Sequence, residues 1–250
     1  MIMDVTVEKY KKISRSTNLR AAELADGGAA EGSYVFAEAQ EGGRGRLGRS
    51  WQSEEPGNMA LSLILRPALS AESVSILTLA AAVALKRAVA ELTGRECFIK
   101  WPNDIILGGT KLSGILTELK LSEDGPRYVI VGVGVNVNRK KFPEEIEKKA
   151  TSLFLETGKT WNPEELSQLF VKEMLDISRK IYKDGSLAGI KDEYERALIS
   201  LNREIILLPD GESGICRGIT KLGALLTEID GEIREINAGE ISVRVPGGYV

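Results

Sequence analysis

Apolar positions along the chain change period several times, and each change marks an element. From Asn58 to Pro67 (NMALSLILRP), Met59, Leu61, Leu63 and Leu65 alternate with Ala60, Ser62 and Ile64, the two-residue period of a strand. Arg127 to Asn138 (RYVIVGVGVNVN) alternates more strictly. Val129, Val131, Val133, Val135 and Val137 form one face, while Gly132, Gly134 and Asn136 leave the other almost bare. Glycine inside a strand marks close approach by a ligand or by other protein, and the pattern alone favours close helix packing. Tyr34 to Gln40 and Cys97 to Lys100 read as further strands, and Asp104 to Leu121 as a hairpin about Gly108 and Gly109.

Four stretches carry helical signals. Ser14 to Gly28 has cap candidates at Ser16 and Thr17, apolar Leu19, Ala22 and Leu24, and glycines to stop it. Ser70 to Thr93 is a long apolar helix with Ser70 as its cap and Gly94 as its stop. Asn162, Pro163, Glu164 and Glu165 combine a cap, a first-turn proline and two first-turn acids, starting a helix that runs to about Lys183. A further helix is predicted from Ser186 to Leu198. Near Leu201 the texture changes to five short strand-like units (REIILLPDG, ESGICRGIT, GALLTEIDG, EIREINAG, EISVRV) separated by turn signals. About fifty residues of this pattern predict a small SH3-like barrel. The expected organisation is therefore an α+β domain over 1–199 followed by a barrel over 200–250.

Composition narrows the chemistry. The 250 residues are 43% hydrophobic, enough for a sizeable core, and 33 Lys plus Arg against 36 Asp plus Glu give a formal charge of −3, with no global footprint for a polyanion. Cys97 and Cys216 are too few and too distant in sequence for a disulfide framework or a four-cysteine metal site, and read as reduced core residues. The N-terminal MIMDVTVEKYKK carries no signal-like apolar run, and the apolar stretch from Ser75 to Leu85 is too short to span a bilayer, so a cytoplasmic protein without membrane contact is expected. There is no histidine, which excludes His-based triads, proton shuttles and His-ligated metals. Chemistry must rest on Lys, Arg, Asp, Glu and backbone groups.

One loop stands against the acidic balance. Glu41 to Trp51 reads EGGRGRLGRSW. Arginine forks pair with phosphate oxygens and glycine lets backbone close on an anion, yet the segment fits neither GxxxxGK[ST] nor a dinucleotide fingerprint. Taken in order with Ser16-Thr17-Asn18, KWPND at Lys100 to Asp104, KLSGIL at Lys111 to Leu116, GVGVNVN at Gly132 to Asn138 and GEISVR at Gly239 to Arg244, it resembles the biotin protein ligases over essentially the whole chain. The resemblance implies a catalytic domain related to class II aminoacyl-tRNA synthetases with a C-terminal SH3-like domain. It implies that biotin and ATP give biotinyl-5′-AMP and pyrophosphate, and that biotin then passes to a lysine of a biotin carboxyl carrier protein domain.

By the same resemblance, Ser16, Thr17, Asn18 and Gln40 face biotin, and Gly43, Arg44, Gly45 and Arg46 form a loop that folds over biotin and the adenylate when they bind. Ser16 and Thr17 also read as simple helix caps. Lys111 matches the catalytic lysine, joined in that role by Arg46, and Gly114 lets backbone approach the ligand. Arg46, Arg49, Asn103, Lys111 and Asn136 match nucleotide contacts. Trp51 reads either as a platform for adenine or as ordinary core, and Asp104 as a Mg²⁺ ligand, as a proton acceptor or as a turn residue. Ser16 stands so close to Met1 that the expectation is a monofunctional ligase, without the DNA-binding domain or DNA contacts of bifunctional relatives. A homodimer is allowed by analogy alone. Lipoate or octanoate ligases, which share the catalytic fold, and a nucleic-acid module built on Arg44, Arg46 and Arg49 are the rival readings.

Overall fold

The computed structural model describes residues 4–123, 125–239 and 241–245, so Glu240 of GEISVR and the last five positions of the predicted barrel lie outside the described residues. Strands β1 (Val7–Tyr10), β2 (Tyr34–Ala37), β3 (Met59–Leu65), β4 (Phe98–Lys100), β5 (Asp104–Leu107), β6 (Thr110–Ser122) and β7 (Gly125–Val135) form one sheet. Its order is β1-β2-β3-β7-β6-β5-β4, parallel between β1 and β2 and antiparallel elsewhere. Helices α1 (Thr17–Asp26), α2 (Ile76–Thr93), α3 (Glu144–Glu147), α4 (Leu153–Thr157), α5 (Pro163–Asp184) and α6 (Lys191–Ala197) surround it.

The two faces of the sheet are covered differently. The valine face of β7 packs with α2 and α5 into the main core. On the opposite face, Ala21 and Ala25 of α1 meet Val35, Ile64 and Ile130. Covered on both sides, β3 is buried at every position, so its alternation does not separate core from solvent. The apolar stripe predicted for α1 packs in part: Leu19 is exposed, Ala22 and Leu24 are partly buried against the same cluster, and the short side chains of Ala21 and Ala25 let the helix lie close to the sheet. The span Ser73–Thr93 is long and apolar enough to cross a membrane, but here it is the central helix and 67% of its most apolar window is buried. A helix apolar on all sides is one that the core surrounds.

Several local signals act as read. Asn162 Oδ1 accepts the Glu164 amide at 2.9 Å, Pro163 opens α5, and Gly185 closes it at φ 63°. Others do not. Ser70 makes no capping bond; a 3-10 turn over Ala71–Ser75 intervenes before α2. The helix expected from Ser186 begins only at Lys191, because the Leu187 amide donates to Lys221 O at 2.8 Å and its side chain enters the core. Strand β1 and the short α3 and α4 were not foreseen; four or five residues are too few to display a period.

The five predicted C-terminal units all appear, as β8 (Glu204–Leu208), β9 (Glu212–Ile219), β10 (Leu225–Ile229), β11 (Glu232–Ile236) and β12 (Ser242–Arg244). They form an antiparallel sheet in the order β11-β10-β9-β8-β12, the small SH3-like domain. It shares the main core rather than hanging from a linker: Ile205, Cys216 and Val243 belong to the cluster that holds α2 and β7. Trp101, buried in that core, donates its indole N–H to Gly223 O at 3.0 Å. Both cysteines are buried and free, as expected, and burial pushes the Cys97 thiol up to about 12.

Candidate functional site

A cavity of about 1110 Å³, its open mouth included, lies on the α1 side of the sheet. Its wall gathers the N-terminus of α1, the arginine loop, the WPND turn, β6, β7 and β12. Among the described residues, six of the lining side chains are cationic (Arg44, Arg46, Arg49, Lys100, Lys111 and Arg244), against the single carboxylate of Asp104. A cavity with that balance concentrates anions although the chain as a whole is acidic.

Strand irregularity aims the lysine. Across β5 and β6, Ile105 pairs with Ser113 but Ile106 pairs with Lys111, so Leu112 is one residue too many. In a regular strand Lys111 and Gly114, three positions apart, would face opposite sides. The bulge returns Lys111 to the Gly114 face, where a Cβ on Gly114 would stand 3.4 Å from Lys111 Nζ. That ammonium pairs with Asp104 Oδ1 at 2.6 Å and lies 5.6 Å from the centre of the Trp51 ring.

Glycines on the bare face of β7 make room for two side chains, and thereby settle the two readings of that face. A Cβ on Gly132 would collide with the Asn18 amide, and one on Gly134 with the Trp51 indole. Helix packing explains the first, and the cavity wall the second. Trp51 is half-buried and lines the cavity, so it is a shelf and not ordinary core.

At the α1 end, Ser16 caps the helix by accepting the Asn18 amide at 3.2 Å, and Gln40 Oε1 accepts the Thr17 amide at 3.0 Å. Capping and cavity lining are combined in the same residues. Gln40 thus spends its carbonyl on the helix. The Ser62 hydroxyl stands 2.8 Å from Thr17 Oγ1 and 2.5 Å from Asn18 Oδ1.

The loop lies against the cavity as a narrow hairpin, with Arg44 bridged to Ser50, Gly45 N donating to Arg49 O at 2.7 Å, and Leu47 in the left-handed region at its tip. Arg44 lines the cavity and also pairs with Glu118 at 2.8 Å. Arg46 donates to Asn103 Oδ1 at 3.1 Å and to the carbonyls of Ala238, Gly239 and Ile241 in the C-terminal domain. Burial pushes its guanidinium pKa down, Asp104 pulls it up and Arg49 adds to the depression. Gly43 is required locally, because a Cβ there would strike the Trp51 carbonyl. Asn136 is not brought into the cavity: its amide donates to Thr151 O at 3.0 Å, tying β7 to the segment before α4.

Three residues to which the sequence assigns no role adjoin the cavity: Lys100 on its wall, and Ser62 and Glu118, bonded to the lining Thr17, Asn18 and Arg44. Lys100 is the cross-strand partner of Asp104 and only 8% exposed. Burial pushes its ammonium down to about 8, Asp104 opposes this, and Lys111, Arg244 and Arg49 reinforce it. The available signal was its place at the head of KWPND. For Ser62 it was a lone hydroxyl in an apolar strand.

Comparison with known proteins agrees with this geometry. Residues 11–136 match the model of the biotin/lipoate A/B protein ligase family, and residues 200–244 that of the biotin protein ligase C terminal domain. The chain is 37% identical to the bifunctional ligase/repressor BirA of Bacillus subtilis over 94% of its own length and 73% of that protein. It is 35% identical to the biotin–[acetyl-CoA-carboxylase] ligase of Paracoccus denitrificans, covering 90% of this chain and 96% of that one. The biotin protein ligase of Aquifex aeolicus, solved in complex with biotin and ATP, superposes with a TM-score of 0.81 at 34% identity, over 96% of this chain and 99% of the other.

Proposed function

The chain belongs to the biotin/lipoate A/B protein ligase family, and we propose how its cavity activates biotin with ATP and hands it to a protein lysine. The activity is that of a biotin–[acetyl-CoA-carboxylase] ligase. One observation carries the residue assignment: Lys111, paired to Asp104, stands beside the Trp51 shelf in a cavity lined also by the polar end of α1 and by five other cations.

Biotin's ureido group, two N–H donors and one carbonyl, suits Ser16, Thr17, Asn18 and the Gln40 NH₂. Its carboxylate is ionised at neutral pH and attacks the α-phosphate without a general base; pyrophosphate leaves. Lys111 sits where both anions meet and offsets their repulsion as they approach, a matter of position and charge. Arg46, Arg49, Lys100 and Arg244 neutralise phosphate charge, and Trp51 supports the adenine. In the second step the carrier lysine's amine attacks the acyl carbon and AMP leaves.

Mg²⁺ would arrive with the ATP phosphates, drawing off part of their charge. Among the described residues no group of three or more His, Cys, Asp or Glu is placed to hold a metal, and Asp104 is the one carboxylate on the wall. Asp104 would therefore supply a single oxygen beside phosphate and water, the sparse protein ligation usual for this ion. We divide the chain into a catalytic unit, 1–199, and the SH3-like unit from 200, and take the acceptor to be the carrier domain of a biotin-dependent carboxylase.

Transfer is tested by incubating the protein with biotin, Mg-ATP and a purified carrier domain. The mass of one biotinyl group should appear on the carrier and vanish when its acceptor lysine is replaced. A carrier of unchanged mass would contradict the assignment.

Two further outcomes follow from the geometry. Gly134→Ala should expel the Trp51 ring and raise the KM for ATP by roughly tenfold, about the 1–3 kcal/mol worth of a stacked base, while the melting temperature changes little. An unchanged KM would remove Trp51 from the nucleotide site. Lys100 is charged below about pH 8, and phosphate binding requires that charge. Above that pH binding must take up a proton, so the KM for ATP should rise by up to about tenfold per pH unit. Lys100→Arg should flatten the rise, whereas a wild-type profile already flat through about pH 9.5 would exclude Lys100 as the titrating group.

A further inference from the structure

The two arginines that open the loop are held by different partners. Arg46 reaches the carbonyls of the C-terminal domain, but Arg44 turns the other way, to a carboxylate on β6. Glu118 Oε2 accepts Arg44 Nη2 at 2.8 Å and also Asn18 Nδ2 at 2.6 Å. Asn18 is buried, and its other amide end receives Ser62 at 2.5 Å. One carboxylate oxygen thus joins the first turn of α1 to the arginine loop.

We propose that Glu118 is a positioning residue for biotin, and that Arg44 is its anchor on the loop and not a phosphate ligand; this rests on the function proposed above. The chemistry of the contacts supports it. An amide can turn over by half a rotation and exchange its donor and acceptor ends. A carboxylate accepts but never donates while ionised, so Glu118 fixes the Asn18 NH₂ toward β6 and leaves Asn18 Oδ1 to Ser62. With Asn18 oriented, the hydroxyls of Ser62 and Thr17 are ordered in turn, and with them the groups that meet a ureido ring. Arg44 on the same oxygen makes that order conditional on the loop being down, and holds the loop down when the pocket is ordered.

The assignment separates from a phosphate-binding role through the two substrates. Arg44→Met and Glu118→Gln should each raise the KM for biotin by about fivefold, the upper end for a solvent-exposed ion pair, while the KM for ATP stays unchanged. A phosphate ligand would show the reverse. The double variant Arg44→Met/Glu118→Gln should be little worse than either single one, because both remove the same contact. Glu118→Leu, which leaves the Asn18 NH₂ only its longer contact to Leu116 O at 3.4 Å, should be worse than Glu118→Gln, and Glu118→Asp should recover part of the loss.

The measurement is biotin-dependent exchange of labelled pyrophosphate into ATP, with each substrate varied in turn and melting recorded for every variant. Single variants that shift the ATP KM, or whose effects multiply in the double variant, would overturn the proposal while leaving the ligase reading intact. Wild-type protein without biotin-dependent exchange would overturn both.

Discussion

Lys111→Ala is expected to lower biotinyl-5′-AMP formation by about two to three orders of magnitude, the usual effect of removing a group that stabilises developing charge, and to leave the fold in place. Both halves come from the local structure. The bulge at Leu112 aims the ammonium at the cavity, and no other residue on β6 can take that position, since Gly114 has no side chain and Ser113 is fully buried. The fold survives because the partner left behind, Asp104, still faces Lys100 across the strand pair and so is not stranded without a cation. Lys111→Arg should recover little, since the planar fork cannot reproduce a point charge at a strand bulge. The check is single-turnover adenylate formation beside thermal melting. A well-folded variant forming adenylate at near the wild-type rate would remove Lys111 from the mechanism.

Arg46→Gly should release biotinyl-5′-AMP about one to two orders of magnitude faster than wild type. A mixed anhydride acylates any amine, so the enzyme must retain it until the right lysine arrives. Charged hydrogen bonds from Arg46 to the adenylate phosphate would contribute roughly 1.5–3 kcal/mol to that retention, and each 1.4 kcal/mol is a factor of ten. Arg46 already has partners in Asn103 and in the carbonyls of Ala238, Gly239 and Ile241. It must therefore exchange neutral acceptors for a charged one, an exchange that favours the phosphate. The variant, incubated with biotin, Mg-ATP and an unrelated lysine-rich protein, should label that bystander heavily. Equal off-rates and bystander labelling no higher than wild type, with normal adenylate synthesis, would show that Arg46 does not hold the intermediate.

Much of the fold was legible where local signals and tertiary contacts agree. The five C-terminal strands were readable because turn residues separate them, and α5 because a cap, a proline and a glycine mark its ends. Reading failed where distant contacts decide. The start of α6 depends on Lys221, in the turn between β9 and β10, and the closeness of α1 to the sheet depends on how near Gly132 lets Asn18 approach. The same distinction applies to the site. Lys111, Trp51, Ser16 and Gln40 were found because their motifs are contiguous, and the structure brings them to one cavity. Glu118 and Lys100 meet their partners on other elements, and Asn136, although part of a motif, bonds to Thr151 O. The bare face of β7 was visible as a pattern; what fills it was not, since an alternation of valine and glycine cannot say which side chain lies opposite.

The central claim is that this cavity activates biotin with ATP. It is tested most directly by exchange of labelled pyrophosphate into ATP, run in parallel with biotin, lipoate and octanoate as the only acid present. Rapid exchange with biotin and little with either fatty acid is the predicted result; exchange with lipoate or octanoate and none with biotin would contradict it.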